Sequence, residues 1–275
     1  MMVLLTRLGL VFLLALSTAL TAQANTSHTR AVMVPDSGTY SRTISTQSPD
    51  AQNFFDQGLR LAWGFYFPES IASYQQASLF DPDHPMPYWG IAHAAGPNPN
   101  SRYAQMPDDP QGAGLAAIEA ALARIDRATP MEVELIRALY VFYDADSISD
   151  PGERDRAYLA QMRALNKKYP DDPDVTALYA GSFMSIRRWD YWDKRGRAKG
   201  ETLAVAEALE YVINKGGVHP GVYHLHIHLI EASLEPERAM VSADALEATL
   251  PIGGHVVHMP AHLFVRVGDY QRAID

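Results

Sequence analysis

His219-Pro-Gly-Val-Tyr-His224-Leu-His226-Ile-His228-Leu-Ile-Glu231 and Gly254-His255-Val-Val-His258-Met-Pro-Ala-His262 are the two stretches from which the fold is read, and they hold seven of the ten histidines. His224 and His228 are spaced i, i+4, as are His258 and His262, and the second pair lies 34 residues after the first. On a helix, an i, i+4 pair puts both imidazoles on one face, one turn apart. A period of about 34 residues is that of a repeated helix–turn–helix unit. Stacked repeats place their first helices side by side, so four imidazoles are expected to converge, with Glu231 one turn beyond His228.

Working outward, the same periodicity recurs. Ser48-Pro49-Asp50 supplies helix-start signals, and Phe54, Phe55, Gly58, Leu59 and Leu61 form an apolar stripe. A break near Phe67-Pro68 opens a second helix that ends at Asp81-Pro82. Pro85 to His93 begins another first helix, which Gly96-Pro-Asn-Pro-Asn100 must break. Residues 96–112 read as a loop inserted between helices. Helices are expected over 114–128, 130–143, 153–168, 174–184, 201–214, 223–233, 235–250 and 255–267, with an aromatic, basic helix end plus loop at 187–199. Pro260 lies between His258 and His262, so either the helix there kinks or it starts near Met259 with Pro260 in its first turn.

Asp50 to Pro82 resembles a tetratricopeptide repeat (TPR): Gly58 at the close helix crossing, Tyr74 and Ala77 in the second helix, and Leu79-Phe-Asp-Pro82 closing it. Ser70 stands where that family usually has Ala, and Phe54 where it often has Trp. The resemblance covers roughly residues 50–95 and 152–275. It implies an all-α solenoid of antiparallel helix pairs over 51–275, whose last repeat, from Gly268, is incomplete, so that either the sequence is a fragment or a partner covers that end. In this family the first helices line a concave groove that holds a peptide or protein partner. Mapped residue by residue, His224, His228, Glu231, His255, His258 and His262 face that groove, with Trp89 and His93 at matching places in an earlier repeat. His226 points away and is assigned to packing.

A single helical histidine is ordinarily a satisfied core or surface residue. Two pairs at the repeat period, with His255 and Glu231 beside them, point instead to a transition-metal site, copper or zinc, formed by His224, His228, His258 and His262. Four histidines make a closed site; three plus water, with Glu231 as base, make a catalytic one. The other reading is a metal-free TPR scaffold.

Composition narrows the class. Arg7, the apolar run Leu8 to Thr21 and Ala22-Gln-Ala24 read as a signal peptide over 1–24, followed by an exposed leader over 25–50 rich in Ser, Thr, Gln and Pro. The expected destination is the periplasm or the exterior, with no membrane span after cleavage. The chain has no cysteine, which excludes thiolate zinc sites, disulfides and cysteine nucleophiles. A formal charge of −9 makes it a poor ligand for nucleic acid. Asp144-Ala-Asp146-Ser-Ile-Ser-Asp150 has calcium-like acidic spacing but lacks the turn glycine and distal glutamate, and reads as a capping loop.

Overall fold

The computed structural model describes residues 31–106 and 109–274, so the expected signal peptide lies outside the described residues. Among them the regular structure is helical, and twelve α-helices pack as adjacent pairs. Their order is α1 (Pro49–Trp63), α2 (Phe67–Phe80), α3 (Pro85–Ala95), α4 (Pro110–Leu122), α5 (Pro130–Tyr143), α6 (Pro151–Lys168) and α7 (Pro173–Arg187). Then follow α8 (Thr202–Asn214), α9 (Pro220–Ile230), α10 (Met240–Leu246), α11 (Gly254–Val267) and α12 (Tyr270–Ile274).

Seven of these helices begin with proline at the first position, each behind a side chain that caps an otherwise orphan backbone N–H. Proline's fixed φ suits the first turn, and its missing N–H costs nothing there. Ser48, Asp109, Asp150 and Asp172 cap through oxygen, and Thr129 with Glu132 forms a capping box. His84 and His219 cap with ring nitrogen instead. The inserted loop is shorter than expected, because Asp109-Pro110 starts α4 ahead of Gly114. The helix expected over 235–250 is broken into a 3-10 turn, α10 and a second 3-10 turn.

Each helix packs on its successor, and the odd ones also pack on each other: α1 on α3, α3 on α5, α7 on α9, α9 on α11. The odd helices therefore form the inner layer of a curved stack. Gly58 and Gly90 make the first crossings close: a Cβ at Gly58 would stand 2.9 Å from the Tyr74 ring, and one at Gly90 closer still. The curve then returns on itself, since α1 touches α9. A solenoid whose units meet only their neighbours would not do this.

The leader, expected to lie exposed, is instead packed against the helices over its described part. Ile44 and Ser37 are buried. Gln57 receives the Val34 N–H at 2.7 Å, and Arg60 donates to the Tyr40 carbonyl at 2.7 Å. Arg42 reaches the N-terminal end of α7, 2.8 Å from Asp174 and 3.0 Å from Asp172. Ser45 bonds Glu132 of α5 and His84 at the start of α3. Asp174 also accepts from the Tyr40 hydroxyl at 2.6 Å and contacts His219 at 2.8 Å. Burial alone would raise the Asp174 carboxyl, but His219 and Arg42 outweigh it and hold it below the usual carboxylate range. The segment straps together helix starts that are far apart in sequence, using their carboxylates as anchors.

Candidate metal centre

The histidines of α9 and α11 meet where the curve closes. Helix position alone does not fix their rings; three acceptors do. The Nδ1–H of His224 donates to the carbonyl of Trp63, at the end of α1, at 2.8 Å. A carbonyl only accepts, so in the neutral ring Nε2 carries the lone pair. The Nδ1–H of His228 donates to Glu231 Oε1 at 3.2 Å, and that of His262 to Glu231 Oε2 at 2.6 Å. Nε2 of His228 is buried without a partner. Nε2 of His255 lies 3.0 Å from Nε2 of His224.

Two overlapping groups of donors result. Ligand atoms of His224, His228 and His255 lie within 4.8 Å of one another, as do those of His228, Glu231 and His262. His224 and His228 are buried, His255 and His262 half-buried. His258 is exposed, donates from Nδ1 to the Gly254 carbonyl at 3.3 Å, and belongs to neither group. Of the expected His224, His228, His258 and His262, with His255 and Glu231 beside them, the structure brings all but His258 into these two groups. The reason is register. Equal repeat positions are 34 residues apart, but His255 meets His224 and His262 meets Glu231 at a separation of 31, one turn out of step. Neighbouring helices interdigitate their side-chain ridges, and that stagger is set by packing, not by repeat number.

Helix α11 runs from Gly254 through Pro260, so His255 and His258 stand in its first turns and not in a loop before Met259. His226 turns to the opposite side, its Nδ1 2.8 Å from Ser242 Oγ, in agreement with a packing role. Trp89 is buried and stacks on His93 at 5.2 Å. Neither joins the cluster. His93 lines a small apolar cavity of about 30 Å³ with Trp63, Gly181 and Leu225, and burial lowers its pKa to about 4.

Electrostatics favour neutral imidazoles within the group. Burial, reinforced by His228 and His255, pushes His224 well below its ordinary value. Burial lowers His228 as well, partly offset by Glu231. Burial and the neighbouring rings take His255 to about 4. His262 is raised by its bond to Glu231. Burial would raise Glu231, but the bonds from His228 and His262 hold it down to about 2.

Comparison with family models, curated proteins and solved structures found no match. What the centre can do must therefore come from its chemistry. Three imidazoles around one ion, with metal–nitrogen bonds of about 2.0–2.1 Å, put ring centres about 5 Å apart. His224–His228 and His224–His255 are both at 4.8 Å and His228–His255 at 6.2 Å, so small ring movements suffice. An all-nitrogen donor set suits Cu(II) or Zn(II).

Sequence reasoning missed the walls. Phe65 lies against His224 and His255 at 4.5 and 5.2 Å, held by a positive φ of 65° that side-chain-bearing residues rarely adopt. Trp189, also at positive φ, meets His228 edge-on at 4.7 Å. Beside His255 opens a cleft of about 350 Å³ walled by Phe65, Phe67, Asn98, Ser101 and Gln105. The aromatic run at 187–199 was the only local signal for any of these.

Proposed function

We propose that this is an exported TPR-like protein that binds one transition-metal ion, copper or zinc, through Nε2 of His224, His228 and His255. One observation carries the reading. His224 and His228 each spend Nδ1–H on a fixed acceptor, Trp63 or Glu231, which leaves the lone pair on Nε2, facing His255 in His224 and buried without a partner in His228. Metal-ligating histidines are oriented in this way, the outer acceptor fixing tautomer and ring angle and raising ligand basicity. Without an ion, the buried lone pair of His228 would go unsatisfied at a cost of about 1–3 kcal/mol.

Glu231 serves as the orienting carboxylate, not as the base, because both its oxygens are engaged by ring N–H groups. Three protein ligands leave a zinc ion's fourth position for water or substrate, and the cleft against His255 gives such a molecule room. Zinc in such a site lowers the pKa of bound water towards neutrality.

Elemental analysis of untagged protein, beside the His224→Ala/His255→Ala double variant, tests the reading. About one equivalent of a single metal, lost in the variant, supports it. No metal in either, and none taken up on dialysis against copper or zinc, removes it in favour of a metal-free scaffold that binds a peptide or protein partner.

A further inference from the structure

Two of the inner three histidines are closed to solvent, His224 fully buried and His228 3% exposed, while His255 is half-buried. A hydrated ion must shed its waters to reach them. His258, exposed, and His262, half-buried, lie on the solvent side of the same cluster. Both are spaced one turn apart on α11, their rings 5.2 Å between centres. Each has its Nδ1–H committed, His258 to the Gly254 carbonyl and His262 to Glu231, so each neutral ring keeps its lone pair on Nε2. His255 stands 5.0 Å from His258 and 4.8 Å from His224, and His262 stands 6.0 Å from His228. With the 4.8 Å step between His224 and His228, five imidazoles close a ring that runs from the surface to the core. The Glu231 carboxylate beside it adds the negative charge that attracts a cation.

We propose that His258 and His262 form an outer capture site for a divalent transition-metal ion, which then passes to His224, His228 and His255. This rests on the metal reading of the inner site. The transfer is ligand exchange: the metal–Nε2 bonds to His258 and His262 break as those to His224, His228 and His255 form. No electron moves, and the proton that His255 Nε2 shares with His224 is released to solvent or to Nδ1 of the same ring. An i, i+4 pair grips an ion through two ligands only, so the outer site binds more weakly than the inner three and lets the ion go inward.

The test uses chelator-stripped full chain and Zn²⁺, with stoichiometry from calorimetry and uptake rate from stopped-flow competition against a zinc indicator. Wild type should take up two equivalents, the second more weakly. His258→Ala should keep the tight equivalent at unchanged affinity, lose the weak one, and fill at least tenfold more slowly. His224→Ala should lose the tight equivalent and keep the weak one. Because His258 is exposed, the melting temperature of its apo variant serves as the folding control. A single equivalent in wild type, or an unchanged uptake rate in His258→Ala, overturns the capture site while leaving the inner site standing. No zinc uptake by wild type overturns both.

Discussion

Replacing Glu231 by glutamine isolates its orienting role, because shape is kept and charge is lost. In the native centre each carboxylate oxygen accepts one imidazole N–H, at 3.2 Å from His228 and 2.6 Å from His262. Glutamine offers one acceptor and one donor. One histidine must then turn its tautomer, which puts the proton on Nε2 and withdraws that nitrogen from any metal. The shorter bond, to His262, should retain the oxygen, so His228 is the ligand lost. Loss of an outer-shell partner costs about 10–100-fold in metal affinity, or about 1.4–2.7 kcal/mol. Metal in large excess stabilises the folded chain through its affinity, so this difference appears directly in the melt. At about 2–4 °C per kcal/mol, the metal-induced rise in melting temperature should shrink by about 3–10 °C. Differential scanning calorimetry at fixed zinc, with and without chelator, reads it. A Gln variant that binds zinc as tightly as wild type would refute the assignment of Glu231 as the group that orients His228.

Other outcomes follow from the scaffold. Arg42→Ala removes one of the partners of buried Asp174 and leaves it Tyr40 and His219; it should cost about 1.5–3 kcal/mol, read by urea denaturation as a lower midpoint at unchanged slope. His93 has a folded pKa of about 4 against 6.5 for the free side chain, so the unfolded chain takes the proton first. Its contribution is intact above about pH 6.5 and is lost as pH falls toward 4, and His93→Phe should spare the protein about 2–3 kcal/mol of that acid loss when stability at pH 7 and pH 4.5 is compared. Gly181, inside α7, needs no glycine: a Cβ would meet only Leu225, at 3.8 Å, so Gly181→Ala should stabilise by about 0.5–1 kcal/mol in thermal melts. Gly58→Ala should do the reverse, because its Cβ would press into the buried Tyr74 ring.

The sequence by itself determined the helices and the pairing of neighbours. Cap-proline starts and apolar periodicity are local, and short connections leave successive helices little choice but to pack antiparallel. It also determined that histidines would line the inner faces of α9 and α11, since i, i+4 spacing is a property of one helix. Tertiary structure decided which of them meet. His255 joins the cluster and His258 does not because adjacent helices settle one turn out of register, a packing effect that repeat arithmetic does not contain. The Trp63 carbonyl that orients His224 is 161 residues away, brought there only by the closure of the curve from α1 to α9. That closure sums small rotations at every helix pair, none encoded at a single position. The packing of the leader, read as exposed, was illegible for a like reason: its polar, aperiodic residues have no pattern of their own, and their partners include carboxylates at helix starts spread through the chain.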